Sequence, residues 1–470
     1  MKNVSPELEA LTKFALDTKW DDVPTVIVHE TKRLILDSIG CALAGLSLDS
    51  GKMIVALARR LGGPPESSIW GMGDKVSLSA AVLANGQLIN STDYDAFTVS
   101  PHSPPYIVPP PLATAEFTGA SGKDLILATA LGFEIASRVF DACQTMKVVA
   151  GKSLERPRGG NWGFANANFG VAAGVGKLLN LDEEKMMNAL GIAGHAAQIL
   201  DSVHMSFQKH EDYTKYGFPG WQGTGGIMAV LLAEMGYVGD LDVFNAEHGF
   251  WKFCGYSGWD PEKIMDGLGT KWMFRNRLCY KPYITCAIFI PALDAFSDII
   301  EKNNLMPEDI ESVKVSISKD PGFWSSGFLN KEIGNCVDAQ FSIPYNIAVQ
   351  AHRIPVGPEW QDIDTMRNPK ILEFMNKKVS VVREFDTSGP YRKKVEVVAK
   401  GQTFTEDRMN PKRGDMSPGG AQMTDAELEK KFRHNAQRIL TEGQINRAVK
   451  ALWNMEKLKN TSELVDEITL

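Results

Sequence analysis

Side chains that can carry chemistry occur close together in one part of the sequence. Asp93 and Asp95 follow the end of a helical pattern, and His102 lies in the proline-rich stretch that comes next. Because an imidazole titrates near neutral pH, a histidine held beside a carboxylate can act as a general acid or base. The same residues also suit structural roles, with Asp93 as a helix cap and His102 as a hydrogen-bonding side chain.

Two lysines and a cysteine further along the chain extend this set. Lys215 lies among aromatic and turn-forming residues rather than on a charged helix face, and Lys281 precedes Cys286 by a short Pro-Tyr-Ile-Thr segment. A partly buried lysine is a strong anion ligand or, when its pKa is depressed, a base. A thiol beside cations can exchange protons. The alternatives are a snorkelling surface lysine and a small apolar core cysteine.

Common motifs of other enzyme classes are absent. The glycine-containing stretches 71–75 and 223–226 lack the spacing of a phosphate loop or a dinucleotide fingerprint. The chain has no Gly-x-Ser-x-Gly elbow and no His-Glu-x-x-His zinc helix, and its six cysteines form no Cys-x-x-Cys pair. We therefore predict no metal site, and the hydrolase and metalloprotease hypotheses lose most of their support.

Composition and charge exclude several partners. The 470 residues carry 50 Lys+Arg against 57 Asp+Glu, a net charge of −7, so no general basic surface for nucleic acid or anionic lipid is expected. Two acids near the N-terminus argue against an export signal, and scattered cysteines fit reduced thiols in the cytoplasm. The uncharged run 96–115 contains six prolines, which excludes a membrane span and predicts an irregular or extended loop.

The spacing of hydrophobic residues differs between two parts of the chain. Up to about residue 270 the patterns are helical, with capping signals at Ser5-Pro6 and Ser121-Asp124. Beyond about 275, alternation at 313–318 and 394–397, and more weakly at 379–381, predicts strands between helical segments. Thr424 then caps another helix. We predict a mainly α fold: a large all-helical domain from 1–272 and 411–470, with a smaller α+β lid, 273–410, inserted.

Several stretches make the sequence resemble the MmgE/PrpD family, and the resemblance covers nearly the whole chain. They are LDSIGCALAG at 36–45, ANG at 84–86, DYD at 93–95 with His102, TK at 214–215 with PGW at 219–221, KPY at 281–283, DAQFSIPY at 338–345 and MTDAEL at 423–428. The family contains dehydratases, decarboxylases and epimerases of small carboxylic acids. The resemblance implies the same discontinuous helical body with an α+β lid, a homodimer, and neither a metal nor an organic cofactor.

The resemblance also implies a site between the domains. Asp93, His102, Lys215, Lys281 and Tyr345 stand at positions that match family site residues. Cys286 occupies a position where the decarboxylase has a histidine and many other relatives have cysteine. Arg158, Asn161 and Thr214 are the expected substrate-binding residues beside them.

Two departures from the family pattern affect the expected substrate. The family motif Asp-Phe-Asp-Asp-Thr corresponds to residues 93–97 here, where Ala96 and Phe97 replace its last acid and its threonine. Asn161 stands where many relatives have an active-site histidine. We expect an enzyme that acts at the carbon α to a carboxylate of a small di- or tricarboxylic acid, with dehydration or hydration ahead of epimerisation and decarboxylation. His102 is the expected acid or base, Asp93 its orienting partner, Tyr345 a donor to substrate and Cys286 a second acid or base. A catalytically silent paralogue that binds a carboxylate is the alternative.

Overall fold

The structure is a computed structural model that describes residues 4–98, 103–144, 164–198, 212–215, 217–256, 258–319, 326–386, 392–408 and 413–470. Its longer helices are α1 (Pro6–Asp17), α2 (Thr25–Gly45), α3 (Asp49–Leu61), α4 (Leu78–Ser91), α5 (Pro109–Thr118), α6 (Gly122–Ala142), α7 (Ala167–Leu178), α8 (Glu183–His195), α9 (Pro219–Glu234), α10 (Ile290–Lys302), α11 (Ile343–Ala351), α12 (Pro369–Lys378), α13 (Asp425–Ala436) and α14 (Glu442–Trp453). Short helical turns are Pro104–Ile107, Phe250–Phe253, Glu262–Met265, Cys336–Phe341, Ile363–Met366 and Ser462–Val465.

Local sequence signals explain where several helices begin. The Ser121 hydroxyl accepts from the Asp124 amide, while the Asp124 carboxylate accepts from the Ser121 amide, so a reciprocal capping box opens α6. Thr424 and Glu427 open α13 in the same way. The expected start of α1 at Pro6 is also found, although the Ser5 hydroxyl donates to the Leu241 carbonyl instead of capping the helix.

The proline-rich stretch differs from the sequence-based prediction of an irregular or extended loop. Its described part is helical, as the turn Pro104–Ile107 and then α5. Prolines occupy the first positions of both segments, where a backbone N–H has no intrahelical partner and the fixed proline φ suits the helix. The prediction was wrong because it treated all six prolines as helix breakers.

Close glycine contacts bring α4 and α9 together. An added Cβ at Gly86 would lie 2.7 Å from the Gly220 Cα, and one at Gly220 would lie 2.0 Å from the Leu83 carbonyl oxygen. Only glycine permits this backbone approach. The contact places the turn that carries Lys215, just before α9, against the helix that leads to Asp93.

A four-stranded mixed sheet forms the α+β part. Its strands are β1 (Ile310–Ser318), β2 (Val379–Phe385), β3 (Lys393–Ala399) and β4 (Gln402–Arg408), in the order β4-β3-β1-β2, with only β1 and β2 parallel. Short two-residue pairs lie elsewhere: Ser67–Ser68 with Lys75–Val76, Phe97–Thr98 with Leu278–Cys279, and Cys143–Gln144 with Gly258–Trp259. The predicted strands are confirmed, whereas β4 was missed.

The edge strand β4 escaped prediction because all of its side chains except Phe404 are polar. Lys400 and Gly401 both have positive φ, 52° and 69°, as a tight hairpin turn requires. That Lys-Gly pair was the available signal. The mainly α fold with a smaller α+β region in the C-terminal part is confirmed, while the exact domain boundaries remain a prediction.

The C-terminal helices return to the N-terminal ones. Helix α13 packs along α2, where a Cβ on Gly40 would lie 3.2 Å from the Phe432 ring, and Arg33 forms an ion pair with Asp425. Among the described helices, none alone is long and apolar enough to cross a membrane. Helices α2 and α3 taken together have the length and composition of a membrane span, with a bend of 95° between them.

Candidate active site

Asp93 occupies a strained position just beyond α4. The helix ends at Ser91, the Asp93 amide donates to the Asn90 carbonyl at 3.1 Å, and Asp93 has φ +54° with no exposed surface. Aspartate tolerates this left-handed conformation better than most residues, but it still has a cost that the surroundings must offset. The turn aims the carboxylate back into the protein interior.

Two buried lysines meet the same carboxylate oxygen. The Lys281 Nζ lies 3.1 Å and the Lys215 Nζ 3.3 Å from Asp93 Oδ1. Lys281 also donates to the Asp93 backbone carbonyl at 2.8 Å. Lys281 has no exposed surface and Lys215 only 3%. A buried charge is tolerated only when it is paired, so the three side chains form one electrostatic unit.

A pair of glutamines joins this unit to neighbouring backbone. Gln340 Oε1 accepts from Lys215 Nζ at 2.5 Å, while its Nε2 donates to the Ser91 carbonyl at 2.8 Å and to Gln361 Oε1 at 2.9 Å. Gln361 in turn donates to the Thr92 carbonyl. The amides therefore hold Lys215 and the turn before Asp93 in a fixed relation, as supporting hydrogen bonds do in precise sites.

Cys286 lies beside the charged group. Its amide donates to the Gln340 carbonyl at 3.1 Å. Burial, reinforced by the Asp93 charge and opposed by the two lysines, raises the pKa of the Cys286 thiol to about 12. Burial also lowers the pKa of Lys215, and the Asp93 charge works against that effect. At neutral pH the thiol is thus protonated and can donate a proton but not accept one.

Each lysine also has an aromatic neighbour. The Phe97 ring centroid lies 6.0 Å from Lys281 Nζ, and the Phe341 ring centroid lies 5.6 Å from Lys215 Nζ. Such contacts favour a cation through the ring quadrupole. Phe97, one of the two departures at the end of the 93–97 segment, thus brings an apolar surface to the lysine.

A second buried ion pair lies behind the first. Lys431, on α13, pairs with Asp37, on α2, at 2.7 Å, and donates to the carbonyls of Tyr94 at 2.6 Å and Lys281 at 3.2 Å. The Ala96 amide donates to the other Asp37 oxygen at 2.9 Å. Neither residue was singled out from the sequence. The signal was an acid within the apolar run 34–45 of α2 and a lysine next to the core residue Phe432.

The remaining predicted residues are separate from this cluster or outside the described part of the chain. The Tyr345 hydroxyl donates to the Trp360 carbonyl at 2.6 Å, and burial raises its pKa. Thr214 is exposed and bonds Asp212. His102, Arg158 and Asn161 lie outside the described residues. No cluster of three or more His, Cys, Asp or Glu side chains fit for a metal ion occurs in the described residues.

A helical body with an α+β part and a buried Asp-Lys-Lys centre defines the class of protein. The N-terminal domain model of the MmgE/PrpD family matches residues 9–262 and the C-terminal domain model matches 283–455. The chain belongs to this family, as its sequence resemblance predicted. The prediction of an MmgE/PrpD-type enzyme is confirmed at the level of the class.

Several curated relatives match over nearly their whole length. The cis-aconitate decarboxylase of Aspergillus terreus is 25% identical over 95% of this chain and 92% of its own. The cis-aconitate decarboxylase-like protein oryM of Aspergillus oryzae is 24% identical over 98% and 96%. The human cis-aconitate decarboxylase is 24% identical over 93% and 89%.

Proposed function

We propose that this protein is a cofactor-independent lyase that acts at the carbon α to a carboxylate of a small di- or tricarboxylic acid. The observation that carries the proposal is the convergence of Lys215 and Lys281 on one oxygen of Asp93 in a buried setting. Two fixed cations in a buried site are suited to a carboxylate or enolate whose negative charge grows in the transition state.

The residues divide the chemistry between them. Asp93 is the counter-ion of both buried lysines, and their ammonium groups stabilise the enolate that forms when the α proton leaves. His102 is the proposed base, and the neutral Cys286 thiol is a proton donor only. In a dehydration, the base removes the α proton, the C–OH bond at the β carbon breaks with its electron pair, and an acid protonates the departing hydroxide.

The Cys286 thiol counts against a decarboxylation that takes its final proton from this position. Loss of CO₂ leaves a carbanion that must be protonated, and the family resemblance implies a histidine at the Cys286 position in the decarboxylase. A thiol with a pKa of about 12 is a weaker acid than an imidazolium. Phe97 also removes a hydroxyl near Lys281, which suits a substrate with fewer polar groups.

Decarboxylation is the second candidate because relatives that match over nearly their whole length are named cis-aconitate decarboxylase. Epimerisation uses the same α proton with donors on both faces and is the third. A panel of hydroxy acids, unsaturated acids and cis-aconitate separates them: enoate absorbance reports dehydration, CO₂ release reports decarboxylation, and α-proton exchange into D₂O without net reaction reports epimerisation. Carboxylates that raise the melting temperature without any turnover would identify a silent binding protein.

Substitution of Lys281 tests the cationic role directly. Lys281→Met keeps the length and removes the charge, and we expect kcat/KM to fall by about 10²- to 10³-fold, as when an oxyanion donor is removed. The exposed Lys430→Met on α13 is the control. Full activity of Lys281→Met on an established substrate would refute the assignment.

We further propose a homodimer, as the family resemblance implies. Exposed apolar side chains along and beyond α9, at Trp221, Met228 and Met235, support an interface there, since a patch of this kind on a soluble chain marks a contact surface. Light scattering should give twice the chain mass of 51.7 kDa, and Trp221→Glu should reduce it to one chain. A monomeric wild-type protein would contradict the proposal.

The cytoplasmic location also remains a proposal. All six cysteines are free and buried thiols, which suits a reducing compartment. Cell fractionation with a tagged chain would test it, and recovery in a secreted fraction would contradict it.

A further inference from the structure

Lys431 contacts the backbone of Lys281 and the backbone of Tyr94, the residue that follows Asp93. Its ammonium contacts three oxygen acceptors: Asp37 Oδ1 at 2.7 Å, the Tyr94 carbonyl at 2.6 Å and the Lys281 carbonyl at 3.2 Å. It also lies 3.9 Å from the centroid of the Tyr94 ring. These acceptors match the three N–H donors of a lysine. Only 6% of Lys431 is exposed, so the cation belongs to the interior and not to the surface of α13.

Asp37 completes the arrangement from the other side of the turn. One carboxylate oxygen pairs with Lys431, and the other accepts from the Ala96 amide at 2.9 Å. The pair therefore bonds the Tyr94 carbonyl and the Ala96 amide, the backbone groups on the two sides of Asp95, within three residues after Asp93. The turn is held at both of these backbone groups by a single ion pair between α2 and α13.

Such support is needed because the turn is strained. Asp93 has a φ of +54°, and a non-glycine residue keeps this conformation only where neighbouring contacts over-determine it. Lys281 bonds both the carbonyl and the carboxylate of Asp93. Lys431 thus links the main chain at Lys281 to the main chain that follows Asp93, so the two halves of the ion pair cannot move apart independently.

We propose that Lys431, together with Asp37, is a positioning residue for the reaction: it sets the geometry of Asp93 and Lys281 without touching the substrate. This inference rests on the proposed function, in which those two side chains act on a carboxylate. Through it, helix α13 becomes part of the catalytic machinery and not only of the packing of the helical body.

A purely structural role would have a different signature. Helix α13 has other anchors on α2, including the Arg33–Asp425 ion pair and the Phe432 contact with Gly40. If Lys431 serves only to anchor the helix, its loss should lower stability and leave the turnover of the folded protein unchanged. If it positions the pair, its loss should lower kcat even in molecules that remain folded.

The test compares Lys431→Met, Lys431→Arg and Asp37→Asn with the control Lys430→Met, on a substrate established for the wild type. Since small misplacements of catalytic groups cost up to about 100-fold in rate, we expect kcat of Lys431→Met to fall about 10- to 100-fold with KM changed less than about threefold. Lys431→Arg should recover part of the loss, and Asp37→Asn should show an intermediate loss.

A crystal structure of Lys431→Met separates this inference from the proposed function. A longer Lys281 Nζ to Asp93 Oδ1 distance, or a relaxed Asp93 φ, supports the positioning role even if no substrate is turned over by the wild type. An unchanged ion pair, or a kcat within about twofold of the wild type, overturns it. If Lys431→Met does not fold, the same two measurements on Asp37→Asn decide the question.

Discussion

Removal of the Asp93 charge should destabilise the folded protein through the two lysines it holds. We choose Asp93→Asn because asparagine also tolerates a positive φ, so the backbone at +54° can be kept. The substitution removes the counter-ion that lies 3.1 Å from Lys281 Nζ and 3.3 Å from Lys215 Nζ. Both ammonium groups then remain buried without that carboxylate.

The magnitude follows from the burial of the pair. Breaking a buried ion pair by removing one partner costs about 3–5 kcal/mol, because an uncompensated charge remains inside. Unfolding entropy is about 2.1 cal/mol/K per residue, hence about 1 kcal/mol/K for 470 residues. The melting temperature of Asp93→Asn should therefore be lower by about 3–5 °C at pH 7.

The loss should shrink as pH rises. Burial lowers the pKa of Lys215 and the Asp93 charge opposes this, so Asp93→Asn lowers that pKa further. A lysine whose folded pKa lies below its unfolded value of about 10.4 destabilises the fold while it is charged, and the penalty fades as pH rises toward that value. The melting-temperature difference from wild type should thus be smaller at pH 9.5 than at pH 7.

Differential scanning fluorimetry at both pH values is sufficient. The matched control is Asp49→Asn, which breaks an exposed pair with Lys52 and should change the melting temperature by less than about 1 °C. An Asp93→Asn protein as stable as the control variant would refute the view that Asp93 is the counter-ion of the two lysines. A loss that is equal at pH 7 and pH 9.5 would refute the electrostatic explanation.

Three further predictions concern the surroundings of the site. Burial lowers the pKa of Lys393 to about 7, so the charged form opposes folding most strongly below that pH. Lys393→Met should therefore raise the melting temperature at pH 6, by at most about 5 °C, and by less at pH 9, whereas Lys394→Met should have little effect. The Cys286 thiol, with a pKa of about 12, should resist iodoacetamide at pH 8 in the native protein and react once it is unfolded, and rapid native labelling by mass spectrometry would contradict this. Gly220→Ala should lower the melting temperature by about 1–3 °C because its Cβ would lie 2.0 Å from the Leu83 carbonyl oxygen, and an unchanged melting temperature would disprove that close approach.

Local features of the fold were predictable because their causes lie within a few residues. The capping boxes at Ser121 and Thr424 use a side chain and an amide three positions apart, and the alternation near Val313 and Val315 identifies a strand with one buried face. The proline-rich stretch was mispredicted because the effect of a proline depends on its position in the helix. The strand β4 was missed because a polar edge strand has little alternation to detect.

The same distinction between local and long-range causes applies to the candidate site. Asp93, Lys215, Lys281 and Cys286 could be selected from residue type and local context, and the structure brings the three charged groups together with the thiol beside them. Three other features could not be predicted from the sequence. They are the contact of both lysines with one Asp93 oxygen, the hydrogen bond between Gln340 and Gln361, and the Lys431–Asp37 ion pair. Each depends on contacts between segments that are far apart in the chain.

By itself, the sequence determined which local elements form, which residue types can handle a carboxylate, and which family the chain resembles, since all three are recorded in short stretches. Only the tertiary structure decided that Lys215 and Lys281 would meet on one oxygen and that a lysine of α13 would support them. The physical reason is that glycine contacts between α4 and α9, and the return of α13 to α2, set the distances at which these charges interact.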